Sequence, residues 1–174
     1  MKRLFTSKLI IIIGFTLVVS LLFSVFFLYN KQLQYQKEEE ISTVDKLLKN
    51  YREAESHLNA LNSLPPFSDQ TKSDYQFHIA QAFSLLTANE NIIWIKTKIF
   101  PEYVRSFNNN EAFELFSIQI SINNNRDVKK ALDNCNKILK NIQLYVTRPS
   151  YNQEPQKNLE KMNNVLEKNN KKWH

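Results

Sequence analysis

From Leu9 to Tyr29 the chain reads LIIIIGFTLVVSLLFSVFFLY, an apolar run with no charged side chain. A helix rises about 1.5 Å per residue, so about 20 such residues cross a hydrocarbon core of about 30 Å. This predicts one membrane crossing at 9–29, which leaves the rest of the chain as a domain tethered to one face of a bilayer. The flanks set the orientation. Lys2, Arg3 and Lys8 precede the run with no acid among them, whereas Lys31 and Lys37 on the far side are followed by Glu38, Glu39 and Glu40. Short basic flanks stay in the cytoplasm, so residues 1–8 are expected inside and the remainder outside, in the periplasm of a bacterial inner-membrane protein. The alternative is a cleaved signal peptide. Its apolar core runs about 7–15 residues and ends at small residues, but this run is longer and ends in Phe26-Phe27-Leu28-Tyr29.

Charge and composition narrow the function classes. Three of the positive charges behind the net +6 lie in the first eight residues, as Lys2, Arg3 and Lys8, where they act as a topology signal. The translocated part is only mildly basic, with Lys and Glu interspersed and no basic patch interleaved with aromatics, so a nucleic-acid partner is not expected. Gly14, inside the apolar run, is the only glycine. Phosphate-cradling loops that depend on glycine are therefore excluded from the exported part, and its turns must use Asn and Pro. Cys135 is the only cysteine; it cannot form an intramolecular disulfide and falls on the apolar side of an expected helix.

Along the exported part, residues 30–64 carry a helical pattern. Ile41, Val44, Leu48, Tyr51 and Leu58 recur at spacings of three and four, with Glu55 interrupting one core position and Leu47, Ala54 and Leu61 widening the stripe. This predicts a short coiled-coil stalk with those five residues as its seam, stopped by Pro65-Pro66; the alternative is an amphipathic helix packed on its own domain. Residues 65–73 are expected to form a linker. A helix follows over about 74–88, its stripe made by Ile79, Ala80, Phe83 and Leu86. Ile92–Phe100 and Phe113–Ile122 alternate apolar and polar residues and predict two strands joined by a polar hairpin loop, Glu102–Ala112. Val128, Ala131, Leu132, Cys135, Ile138 and Leu139 mark a second helix. Ile142, Leu144 and Val146 predict a third strand, and Leu159, Met162 and Leu166 a last helix within 151–174. The expected fold is α+β, an α-β-β-α-β two-layer sandwich over residues 74–150 with open sheet edges suited to pairing.

No constellation of catalytic type stands out, and no cofactor or metal site is expected. His57, His78 and His174 lie at no ligand spacing with Cys or acids, and no nucleophile turn is present. The chain therefore reads as a non-enzyme. Trp94, Tyr103, Phe107 and Tyr145 could line a small pocket, and the competing explanation is that they cover the second sheet face or an interface.

The basic MKRLFTSK tail, the Leu9–Tyr29 anchor, the Ile41–Leu64 stalk and the helix-strand-strand-helix-strand run from Asp74 to Val146 resemble, as a layout, the PilO family of type IV pilus machines and the GspM family of type II secretion systems. The resemblance is architectural and rests on no diagnostic motif. It implies a ferredoxin-like periplasmic domain and a scaffold function. The implied partners are a second copy or a similar single-pass protein of the PilN or GspL kind, together with other components of the machine. The alternatives are a membrane-anchored sensor or ligand-binding domain and a cell-division type of single-pass protein.

Overall fold

The computed structural model describes residues 2–96, 99–147 and 155–170, with side chains over 13–96, 99–146 and 157–169. Every regular element among these is helical: α1 (Lys2–Leu61), α2 (Lys72–Ile95), α3 (Glu102–Asn123), α4 (Val128–Ile142), a π-helical segment (Gln143–Thr147) and α5 (Pro155–Asn170). Contacts divide the chain into two units, Met1–Glu40 and Ile41–His174.

In the first unit α1 is long and apolar enough to cross a membrane, with a mean hydropathy of 2.0 over its most apolar window. Phe15, Leu21, Phe23, Phe26 and Leu28 are all exposed, so none of the described residues covers this stretch. Its serine hydroxyls need internal acceptors in such a setting, and Ser24 Oγ donates to the Ser20 carbonyl at 2.9 Å.

The second unit is a helical bundle in which α1, α2, α3 and α4 run antiparallel in succession. Between α1 and α2, Asn50 pairs with Asn89 and His57 with His78, so rising numbers on one meet falling numbers on the other. The N-terminus of α2 is tied to the C-terminus of α3: Lys72 Nζ and Gln76 Nε2 donate to the backbone and side-chain oxygens of Asn123, each at 2.9 Å. Asn141 of α4 meets Glu111 of α3. α5 packs against α3 and the π-helical segment. The turn between α3 and α4 uses asparagine where many proteins use glycine. Asn125 is left-handed (φ 52°), its N–H donates to the Ile122 carbonyl, and Arg126 N–H donates to the Ser121 carbonyl at 2.9 Å. These two bonds cap the last carbonyls of α3 in a Schellman arrangement. Asp127 is also left-handed (φ 47°).

The all-helical fold overturns the α+β sandwich expected from sequence, and the three strand segments show why. In Phe113–Ile122 the apolar residues form two helical stripes rather than two sheet faces. Leu115, Ile118 and Ile122 are buried at spacings of three and four, while Phe113, Phe116 and Ile120 repeat the same spacings on the exposed side. Two interleaved stripes of this kind reproduce an alternating pattern by coincidence. The supposed loop before it supplies the missing turns: Val104, Phe107, Asn108, Glu111 and Ala112 are buried and continue the stripe of α3. Of the first expected strand, Ile92–Ile95 closes α2, with Ile93 buried and Ile95 77% exposed, so the two do not share a face; residues 97 and 98 lie outside the described part. In the third, Ile142 ends α4, and Tyr145 and Val146 are buried while Leu144 is exposed.

A polar network crosses the centre of the bundle. Asn89 is fully buried; its Oδ1 accepts from Asn50 Nδ2 at 2.8 Å and its Nδ2 donates to the Leu47 carbonyl at 3.3 Å. Asn108, equally buried, accepts from Tyr51 Oη at 2.9 Å and donates to the Leu86 carbonyl at 3.1 Å. A buried amide is tolerated only when paired, and these pairs fix α1, α2 and α3 in one register. Tyr51→Phe removes the Asn108 donor without changing the packing volume much. It is expected to cost about 1–2 kcal/mol, seen as a lower urea midpoint at unchanged slope.

Candidate ligand-binding cavity

A hollow of about 280 Å³ lies in the bundle between α3, α4, the π-helical segment and α5. Tyr103, Phe107, Glu111, Lys137, Asn141 and Tyr145 are among its lining. Helical spacing on α3 brings the first three together: Tyr103 and Phe107 are one turn apart, and Glu111 follows one turn later. Phe107 is braced on both sides. Its ring lies 5.9 Å from Tyr51 of α1 and 5.9 Å from Tyr145, the latter nearly perpendicular at 85°. The π-helical segment widens the turn after α4, and Tyr145 reaches the cavity from it.

Glu111 is the unusual member, only 7% exposed. Its Oε1 accepts from Asn141 Nδ2 at 2.9 Å. Burial drives its pKa up from the ordinary carboxylate value to about 7. The Asn141 bond opposes that rise, the neighbouring Glu114 adds to it, and Lys137 opposes it. The cavity therefore holds a carboxyl group that exchanges its proton near neutral pH, set among aromatic rings.

The residues singled out from sequence fall in three places. Tyr103, Phe107 and Tyr145 do meet around one cavity, whereas Trp94 is 75% exposed and is not among its lining. The stalk-seam residues Val44, Leu48, Tyr51 and Leu58 are buried in the bundle core with Leu47, Ala54 and Leu61; only Ile41, at the start of the unit, is exposed. The seam is thus covered by the chain's own helices, the alternative that the spacing also allowed. His57 and His78, which lie at no ligand spacing with Cys or acids in the sequence, approach each other to 3.1 Å between their Nδ1 atoms, close enough to share one proton. Burial and the His57 neighbour lower the His78 pKa, and Asp74 opposes this. Cys135 is buried and its thiol pKa is pushed up to about 12, so it packs rather than reacts.

Glu111, Lys137 and Asn141 were missed. Glu111 sat in a stretch that looked like a polar loop. Counting 104, 107, 108, 111, 112 and 115 as one helical stripe would have put it on the buried face. Among the described residues, no three His, Cys, Asp or Glu side chains gather in a group that could hold a metal ion.

No protein-family model matches the chain. Comparison with curated proteins and with solved structures likewise finds no similar one.

Proposed function

We propose that the chain is a membrane-anchored, non-catalytic binding domain that takes up a small organic ligand in the cavity flanked by α3, α4 and α5. The observation that carries this reading is the buried Glu111 carboxyl inside an aromatic-walled hollow. A carboxyl group taken from water costs stability. A bundle with no use for it would gain by placing an apolar residue there, as it does at Leu115 one turn on. Apolar hollows with a few convergent polar groups and a displaced pKa are where ligands bind. The basic Lys2, Arg3 and Lys8 flank supports a cytoplasmic N-terminus with the bundle on the outer face of the inner membrane.

A scaffold of the PilO or GspM kind is the second reading. Among the described residues there is no sheet of the kind on which the resemblance depended, and the seam is covered. What favours it is the exposed apolar stripe Phe113, Phe116 and Ile120 on α3, a surface suited to another protein. Crosslinked adducts from Phe116→Cys in intact membranes would favour that reading.

Ligand uptake is tested by thermal unfolding of the full chain in detergent micelles against a library of small organic molecules. A ligand present at about 100 times its Kd stabilises by about 2.7 kcal/mol, a shift of several degrees. Ser106, an exposed residue on the cavity lining, provides the control. Ser106→Trp is expected to abolish the ligand shift and to move the unliganded transition by less than about 0.5 kcal/mol. A library that produces no shift, or shifts that survive Ser106→Trp, would overturn the proposal.

A further inference from the structure

We infer that the cavity selects a compact organic cation, an ammonium group carried on an apolar or aromatic body, with Glu111 as the counter-charge and Tyr103, Phe107 and Tyr145 as the walls. The inference rests on the binding reading above and names the ligand class.

Three observations point the same way. The first is the carboxyl group itself. An ionised carboxylate offers about four acceptor positions, and the bond from Asn141 Nδ2 at 2.9 Å occupies one of them on Oε1. An ammonium group brings the donors that a buried carboxylate lacks, and charge-assisted bonds of this kind are the strong ones. The second is the wall. Aromatic faces attract cations electrostatically within about 6 Å of the ring centroid, more strongly where water is excluded, and cages of two or three rings are the usual recognition device for organic cations. Tyr103, Phe107 and Tyr145 supply three rings, with Phe107 held in place by Tyr51 behind it. The third is charge. Among the described lining residues Glu111 and Glu114 stand against one cation, Lys137, so an anionic ligand would meet two carboxyl groups, and a neutral one would leave Glu111 with no better partner than before. A volume of about 280 Å³ is near the low end of ligand cavities, which favours a small body.

Proton balance follows from the same groups. A neutral amine entering while Glu111 is protonated takes that proton, leaving carboxylate and ammonium in contact. An ammonium ion entering instead sends the proton to solvent. Among the described residues the charged and titratable groups lining the cavity with Glu111 are Tyr103 and Glu114 on its own helix, Lys137 on α4 and Tyr145 on the π-helical segment; α5 contributes Leu166 and Asn169, which do not titrate. Cation binding should therefore strengthen as the pH rises through about 7, where Glu111 loses its proton.

The test is calorimetric titration of the full chain in neutral detergent micelles with three probes of one shape: phenethylamine, 2-phenylethanol and phenylacetate. Phenethylamine is expected to bind at least tenfold more tightly than 2-phenylethanol, with phenylacetate weakest. Glu111→Gln should reduce the preference for the amine to within about twofold. Lys137→Gln, which leaves the carboxyl in place and removes the competing cation, should tighten phenethylamine several-fold. Absence of phenethylamine binding, or equal binding of amine and alcohol, overturns the inference. Equal binding with loss of both in Ser106→Trp leaves the cavity reading standing. If neither probe binds and no library compound shifts the thermal transition, that reading falls as well.

Discussion

Leu48→Ala is expected to lower the unfolding free energy of the bundle by about 3 kcal/mol, with a midpoint that does not move as protein concentration is varied. Leu48 is 1% exposed and belongs to the same core as Leu47, Tyr51, Leu58, Leu86 and Ile118. Truncating it removes apolar burial and leaves a hollow that rigid neighbours cannot fill, which places the cost within about 2–5 kcal/mol. If the same residue sealed a stalk between two chains, the variant would lose dimer instead, and its midpoint would rise with concentration. Urea unfolding of the full chain in micelles, followed by circular dichroism at two concentrations tenfold apart, separates the outcomes.

The second large effect concerns acidity. Glu111 has a pKa of about 7 in the folded chain, against an ordinary value of 4.5. Between those values the folded state holds a proton that the unfolded state has released, so stability falls as pH rises through this window and levels off above about 7. The displacement corresponds to about 3 kcal/mol at most, and the group is too deeply buried for solvent to screen much of it. Glu111→Gln cannot ionise and keeps an oxygen for Asn141. The variant should match the natural chain at pH 4.5 and exceed it by about 2–3 kcal/mol at pH 8. Paired urea titrations at the two pH values measure this directly. A gain at pH 8 no larger than that at pH 4.5 would mean that the carboxyl is not carrying the penalty its burial implies.

Much of the helical content was legible. The stripe of α4 is buried at Ala131, Cys135, Ile138 and Leu139, and that of α5 at Leu159, Met162 and Leu166, at the positions their spacing required. That the first helix is long and apolar enough to cross a membrane was evident from length and apolarity alone. α3 was not, because its exposed Phe113, Phe116 and Ile120 filled the gaps in its buried stripe and imitated a period of two. A helix with one apolar face is unambiguous, whereas one with two is indistinguishable from a strand over ten residues. The role of α1 beyond residue 40 was ambiguous for a related reason. Spacings of three and four serve both a two-chain seam and a helix inside a bundle, and only the partner distinguishes them. At the site, Tyr103, Phe107 and Tyr145 were legible, although the sequence grouped the exposed Trp94 with them. Glu111 was hidden, because a polar residue in a helix is recognised as buried only when the helix itself has been recognised.

The corner at Asn125 and Asp127 has a mechanical consequence. Glycine at such positions moves freely between left- and right-handed conformations; residues bearing a side chain cost about 1–2 kcal/mol to be left-handed and stay there only where the surrounding bonds hold them. Two of them in close succession, one locked by paired amide bonds, make a stiff joint. The angle between the two helices that flank the hollow is thus set by the chain at their junction, before any guest arrives to hold them apart.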